Sequence, residues 1–406
     1  MSVDGAYLGT PGYRQWACVL LILSFFISST SASSPSVVGA PIMENVLDGD
    51  TKTLVVFSDL DGTLIHYPDK PPKNERHNTI LKLPPSSTGM RGIISSKTLS
   101  KIQDIRKKGA KFVLVSGMRT STFLQRAPFL PRADAYCTEA GGRIFYPVEA
   151  KEDGFVVKPQ KYDGYTDEDL EPFSLAEDMQ WRSKMERITG NYGLSDLKEL
   201  AASPDVVPDL NERDGLLWDY ARFLTSKGFV VDTKGYSACF RVNKKQQTSI
   251  SDEEFDALTN GEIKVWDGLG TSINLSCVDY YSAESGKKNC CQYLAEKYCP
   301  DANDETVLGE FTVCLCDDDN DVQMANACRH AYIPEVTSEH LAEAIEEDPD
   351  HFTVTSGRGA KRRGHAVHGH KATEAALSLI LDSFPNPPPG DSEQPEASDE
   401  SEKKEE

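Results

Sequence analysis

Asp59 and Asp61 stand two apart in the segment Asp59-Leu60-Asp61-Gly62-Thr63, directly after an apolar run from Leu54 to Phe57. The run reads as a short buried strand. Residues i and i+2 of a strand point to one side, so both carboxylates are expected together at its carboxyl end. That end is where open α/β sheets bind ligands. Leu60 then faces the other way, and Gly62 permits a sharp exit. Two neighbouring carboxylates repel each other, and a bound cation resolves the repulsion. Their oxygen ligands suit Mg²⁺. Surface turns also yield D-x-D by chance; the preceding apolar strand and the segments below make that reading remote.

A second acidic segment, Asp317-Asp318-Asp319-Asn320-Asp321, follows the apolar run Val313-Cys314-Leu315-Cys316. One or two Asp would suffice to cap a helix; four are excessive without a cation. The twelve-residue spacing of a calcium-binding EF-hand loop is absent. Between the acidic segments, Ser116-Gly117 closes another apolar run, KFVLV. A hydroxyl and free amides there suit a phosphate oxygen, although such a dipeptide alone is an ordinary turn. Gly286-Lys287-Lys288 opens a predicted helix, whose N-terminus favours anions. The residue types alone do not choose between the two lysines.

The intervening sequence supplies elements to hold these groups. Residues 95–110 have a Ser/Thr start, spaced apolar positions and a terminal glycine, the pattern of a capped amphipathic helix. A helix is expected to begin at Thr122, and ADAYCTEAGGRIFY to give a short strand and a turn. Apolar strands alternating with helices predict a doubly wound, Rossmann-like α/β core with a parallel sheet. From about residue 147 the pattern becomes mixed. TSKGFVVDTK, ACFRVNKK, GEIKVWDG and SINLSCVDYY read as strands and SDEEFDALTN as a helix, which predicts an inserted α+β cap domain. The expected organisation is a leader over residues 1–34, a linker over 35–50, core over 51–147, cap over 148–280, core again over 281–384, and a disordered acidic tail over 385–406.

The chain has 406 residues, a formal net charge of −21 and 39% hydrophobic residues. That acidity argues against nucleic acid as a partner. It leaves room for a small phosphorylated substrate in a local positive pocket. Arg14, the apolar run Trp16 to Ile27 and the small residues after it read as a secretory signal-like leader too short to span a bilayer. No stable membrane span is expected after its removal. Of ten cysteines, Cys18 lies in that run; the other nine fit neither a disulfide framework nor a metal site and read as buried thiols. A leader with a thiol-rich body fits passage through the secretory pathway to an organelle such as a plastid.

The order of these four segments resembles the haloacid dehalogenase superfamily of phosphatases. The branch is the one with a large α+β, C2-type cap between the second and third motifs, and within it the sucrose-phosphate-phosphatase-like and Cof-type sugar phosphatases. The resemblance spans roughly residues 53–380. It implies a Mg²⁺-dependent phosphatase in which Asp59 is the nucleophile that becomes an aspartyl-phosphate and Asp61 is general acid and base. Ser116, Gly117, Lys287 and Asn320 would hold the phosphoryl group. Asp59, the Asp61 backbone carbonyl, Asp317 and Asp321 would hold the metal, with Asn320 and Asp321 also placed to orient the lysine. Lys287 is preferred over Lys288 because the family helix opens Gly-Lys. The implied substrate is a phosphorylated sugar such as sucrose phosphate. A phosphosugar mutase and a catalytically silent binding protein are the alternatives on the same fold. One departure stands out: the family's last motif reads Gly-Asp-Gly or Gly-Asp-Ser, whereas this chain has Cys316-Asp317-Asp318.

Weaker features remain. Arg241 reads as a solvated strand arginine, with substrate contact from the cap as the lesser reading. Glu139 and Gly141-Gly142 sit at the expected cap entrance, the glycines as a turn or hinge. His66 is expected to line the exit loop. Residues 357–371, with Arg358, Lys361, Arg362, Arg363, His365, His368 and His370, read as an exposed basic loop.

Overall fold

A computed structural model describes residues 54–68, 79–85, 89, 91–162, 165–190, 196–274, 276–356 and 369–384. The expected leader, linker and acidic tail, and residues 357–368 of the basic loop, lie outside the described residues.

The first half of the chain gives β1 (Val55–Ser58), β2 (Ile80–Pro85), β3 (Arg91–Ser95), α1 (Ser96–Lys107), β4 (Lys111–Val115), α2 (Thr120–Arg126), β5 (Ala135–Thr138), β6 (Arg143–Glu149), β7 (Val156–Val157) and β8 (Phe173–Glu177). Then follow α3 (Met179–Thr189), α4 (Leu197–Ala202), α5 (Leu216–Ser226), β9 (Val231–Asp232), β10 (Cys239–Asn243), α6 (Asp252–Asp256), β11 (Leu269–Asn274) and β12 (Cys277–Ser282). The last part holds α7 (Lys287–Tyr298), α8 (Val307–Phe311), β13 (Thr312–Leu315), α9 (Val322–Ala327), β14 (His330–Ile333), α10 (Glu339–Glu347), β15 (Phe352–Val354) and α11 (Gly369–Asp382).

The main sheet runs β15-β14-β13-β1-β4-β5-β6-β8-β7. Neighbours from β15 to β5 are parallel, and β6, β8 and β7 extend the sheet antiparallel. This is the expected doubly wound α/β core. Its central strands are apolar on both faces because both are covered. Val56, Phe112, Leu114, Val313 and Leu315 pack on one face with Leu99, Ile102 and Ile105 of α1 and Ala376, Leu377 and Ile380 of α11. Val55, Phe57, Val113, Val115 and Cys314 pack on the other with Leu294 of α7, Met324 of α9 and Leu341 of α10. Each buried Val, Leu, Ile, Phe or Met among them contributes about 1.5–3 kcal/mol. The α1 helix is capped as its sequence predicts: the Ser95 hydroxyl accepts from the Lys97 amide at 3.1 Å, and Gly109 takes a φ of 91° just past the end.

A second, antiparallel sheet of four strands, β11-β12-β10-β9, carries α5 on one face. Leu217, Trp218, Tyr220 and Leu224 pack there on Phe240, Val242, Val278 and Tyr280. This second sheet lies in sequence between the two expected core parts, but the expected boundary at residue 148 does not hold for the main sheet, since β8 pairs onto β6 and β7 onto β8 and both extend it. Two of the strands predicted for the second sheet differ. GEIKVWDG forms no strand: Trp266 packs edge-on to Tyr220 at 5.1 Å, and Gly261 and Gly268 turn the backbone at φ 86° and 93°. Side-chain burial against the aromatic core outweighs strand propensity there. SINLSCVDYY is the turn region of a hairpin rather than one strand, because Ser276 reverses the chain at φ 67° between β11 and β12. The described cysteines are free thiols, all buried except the half-buried Cys299. No helix among the described residues is long and apolar enough to cross a membrane.

Candidate active site

Register places the chemistry-bearing segments side by side. In β1, Ser58 pairs with Leu315 of β13 and with Leu114 of β4. Asp59, Ser116 and Asp317 therefore leave three adjacent parallel strands at the same edge, and the Asp59 amide donates to the Leu315 carbonyl at 3.0 Å. Asp59, Asp317 and Asp321 each offer a carboxylate oxygen within 4.8 Å of the others, and all three are buried. The Lys287 ammonium, at the first position of α7, donates to Asp59 Oδ1 at 2.8 Å, to Asp321 Oδ1 at 2.6 Å and to Asn320 Oδ1 at 3.2 Å. Lys288, one residue on, is exposed. The helix phase thus separates the two lysines.

The arrangement packs three carboxylates against one ammonium, so two negative charges remain uncompensated if all are ionised. Burial, then repulsion from Asp321, pushes the Asp59 carboxyl up to about 7 despite the opposing pull of Lys287. Burial and the neighbouring Asp59, Asp321 and Asp318 push Asp317 well above the usual carboxylate range. For Lys287, burial works against the charge, but Asp321 and Asp59 outweigh it and hold the ammonium protonated. A divalent cation with a preference for hard oxygen ligands fits this donor set in charge and chemistry. Asp59, Asp317 and Asp321 would hold it.

The loops are built around these carboxylates. Thr63 Oγ1 donates to Asp317 Oδ1 at 2.7 Å, and the Thr337 amide donates to the Asp317 carbonyl at 3.0 Å. Gly62 has a φ of 97°, and a Cβ there would lie 2.0 Å from Asp317 Oδ2. The glycine is required twice over, by its backbone angle and by the approach of the carboxylate. Asp318, the residue that departs from the family pattern, occupies the N-cap of the turn at 319–321. Asp321 Oδ2 accepts from the Asp317 and Asp318 amides at 3.5 and 3.4 Å. Asp318 therefore shapes the acidic loop.

Asp61 is held by the loop and not by the strand. β1 ends at Ser58, so Asp59 and Asp61 lie in the exit loop and the two-residue alternation no longer applies. Asp61 is not one of the three carboxylates of the cluster, although its charge adds to those that push the Asp59 carboxyl up. Its Oδ1 accepts from the Tyr67 hydroxyl and from Arg126 Nη1, the latter at 3.2 Å. Sequence reading missed Tyr67, Arg126 and Thr63 as contributors. Thr63 sits within the recognised segment, whereas nothing marks Arg126, 65 positions from Asp61.

The second sheet reaches the Ser116-Gly117 turn. Arg241 is half-buried and paired. Its Nε and Nη2 pair with Asp279 Oδ1 and Oδ2 at 2.5 and 2.7 Å, because β10 and β12 place the two residues directly opposite. Asn274 Nδ2 lies 3.4 Å from Asp279 Oδ2. A Cβ on Gly117 would lie 2.7 Å from Asn274 Nδ2 and 3.5 Å from Arg241 Nη2, so this polar trio lies against the Ser116-Gly117 turn. The Ser116 hydroxyl meanwhile accepts from the Met118 amide at 3.1 Å. Glu139 joins the two sheets. Its buried carboxylate takes Thr120 Oγ1 at 2.6 Å from the core and the Ser237 and Ala238 amides, both at 2.8 Å, from the other side. Gly141 is tightly packed: its Cβ would meet Gly286 O and Cys290 Sγ, each at 2.8 Å.

His66, expected to line the exit loop, is buried there and meets Thr373 Oγ1 of α11 at 3.0 Å. His370 is buried within α11, because residues 369–371 form the first turn of that helix and not part of an exposed loop.

No family model and no curated protein matches the chain. Among solved structures, the chain is similar to the sucrose-phosphatase of Synechocystis sp. PCC6803 in complex with sucrose and phosphate, at 13% identity and a TM-score of 0.42, covering 81% of this chain and 98% of that one. It is similar to a phosphatase of the haloalkanoate enzyme superfamily from Bacteroides thetaiotaomicron at 14% identity and a TM-score of 0.42, over 82% and 97% of the two chains. A trehalose-6-phosphate phosphatase of Aspergillus fumigatus has 12% identity and a TM-score of 0.38, over 86% and 100%. Identities this low carry no substrate from those proteins to this one.

Proposed function

We propose that this chain is a Mg²⁺-dependent phosphomonoester hydrolase that acts through an aspartyl-phosphate on Asp59, with a phosphorylated sugar as substrate. The observation that carries the reading is the buried set of Asp59, Asp317 and Asp321 facing a single lysine. Left as it is, the set is short of positive charge at neutral pH. A divalent cation completes it, and when bound it offsets the repulsion between the Asp59 carboxylate and an anionic phosphate.

The chain's own residues supply the rest. Phosphoryl transfer depends mainly on alignment and charge neutralisation. The Asp59 carboxylate attacks phosphorus as the bond to the leaving oxygen breaks, and Asp61 gives that oxygen its proton. Asp61 then takes a proton from the water that attacks the phosphorus of phospho-Asp59, which returns Asp59 and releases phosphate. Lys287, Ser116 and the Gly117 amide steady the phosphoryl oxygens. Arg241, Asp279 and Asn274 present a guanidinium, a carboxylate and an amide beside Gly117. Fixed donors and acceptors in that position suit the hydroxyls of a sugar leaving group.

The test is phosphate release from a panel of phosphosugars and a generic aryl phosphate, with Mg²⁺ and with excess EDTA. Release that requires the metal and favours phosphosugars is expected. Metal-independent release, an isomerised phosphosugar without free phosphate, or no turnover across the panel by folded protein would each contradict the proposal.

A further inference from the structure

Arg126 is 1% exposed, and its charged group faces the exit loop of β1. Its Nη1 donates to Asp61 Oδ1 at 3.2 Å and to the Tyr67 hydroxyl at 2.9 Å. Tyr67 in turn donates to the same Asp61 oxygen. The three groups close a triangle in which both donors land on Oδ1. Oδ2 has no hydrogen-bond partner among the described residues, and the Asp61 side chain retains 28% exposure. Nε and Nη2 of Arg126 are buried without partners. An arginine retained only to tie α2 to the loop would be expected to use its whole donor fork, since buried unsatisfied donors are costly. Here a single nitrogen serves, and it serves Asp61 and the Tyr67 hydroxyl that itself donates to Asp61.

We propose that Arg126 and Tyr67 are positioning residues that clamp Asp61 through Oδ1 and thereby assign proton transfer to Oδ2. This rests on the phosphatase reading above. As the phosphorus–leaving-oxygen bond breaks and the bond to Asp59 forms, the proton on Oδ2 passes to the leaving oxygen. In the second half-reaction Oδ2 takes a proton from the attacking water. A carboxylate held at one oxygen keeps the other at a fixed place and angle, and small misplacements of a reacting group cost large factors in rate. Neither clamp residue touches substrate.

The experiment compares kcat/KM for an alkyl phosphate, such as a hexose 6-phosphate, with that for 4-nitrophenyl phosphate. For a two-step covalent mechanism this parameter reports the first transfer, and only the alkyl leaving group needs its proton. Tyr67→Phe and Arg126→Lys should lower kcat/KM for the alkyl substrate on the order of tenfold to a hundredfold and leave the aryl substrate within about threefold. Combined with Asp61→Asn, Tyr67→Phe should add almost no further loss, because it acts through a group already removed. Arg126→Lys keeps the charge, so a folding failure there leaves the Tyr67 result standing. Equal losses on both substrates, or full additivity with Asp61→Asn, would overturn the proposal. Wild-type protein with no phosphate release from either substrate would overturn the phosphatase reading and this inference with it. Normal wild-type release with uniform losses in the variants would overturn this inference alone.

Discussion

Replacing Lys287 with methionine keeps most of the side-chain volume and removes only the charge. Its ammonium lies 2.8 Å from Asp59 Oδ1 and 2.6 Å from Asp321 Oδ1, with almost no solvent exposure of either partner. Its loss leaves Asp59, Asp317 and Asp321 facing one another uncompensated. Breaking a buried pair by removing one partner costs about 3–5 kcal/mol. The cost should depend on pH. Lys287 lowers the Asp59 value, which burial already pushes up to about 7, so removing it raises that value further. Below pH 6 the Asp59 carboxyl accepts a proton and the uncompensated charge shrinks; at pH 8 it is largest. Lys287→Met should therefore melt several degrees below wild type at pH 8 in EDTA, with a smaller gap at pH 5.5. Added Mg²⁺ should narrow the gap at pH 8. Thermal unfolding followed by circular dichroism at both pH values reads all of this. Phosphate release should fall roughly 10²–10³-fold, the scale of losing one charged stabiliser of the transferring group. A variant that melted within about a degree of wild type at pH 8 in EDTA would refute the charge balance on which the site is read.

Two further outcomes follow from the same geometry. Gly62→Ala places a Cβ 2.0 Å from Asp317 Oδ2 at a φ of 97°, so it should strain the loop by about 1 kcal/mol and weaken Mg²⁺ binding on the order of tenfold or more by isothermal titration calorimetry; unchanged affinity would contradict the role given to Asp317. Mg²⁺ binding should displace a proton from Asp59. With that group at about 7, affinity should be roughly tenfold weaker at pH 6 than its plateau near pH 8, and a flat profile would count against Asp59 as a ligand. In the metal-free protein the same raised value binds a proton that the unfolded chain has already lost. Its contribution to stability therefore falls as pH rises from about 4 to about 7.

The parallel core was legible because Val55, Val56 and Phe57 or Phe112, Val113 and Leu114 are short, β-branched or aromatic apolar runs, the pattern of strands buried on both faces. The segments holding Asp59, Ser116, Lys287 and Asp317 were legible because each directly adjoins such a strand or opens a helix. What lay beyond reach was tertiary. Nothing local pairs Arg126 with Asp61, or Arg241 with Asp279 across β10 and β12. Periodicity also failed where aromatic packing decided the backbone, as at Trp266, and where one left-handed residue, Ser276, folded an apparent strand into a hairpin. Strand alternation stops at Ser58, one residue before the chemistry begins, so the partners of Asp61 come from the exit loop and α2.

The central claim is that Asp59 carries the phosphoryl group. A single-turnover reaction with a phosphate-labelled phosphosugar, quenched in acid within milliseconds to seconds, tests it most directly. The label should appear transiently on the protein as a hydroxylamine-sensitive acyl phosphate, map to the peptide containing Asp59, and be absent from Asp59→Asn. Phosphate release by wild type without protein-bound label, or undiminished release by Asp59→Asn, would contradict the account.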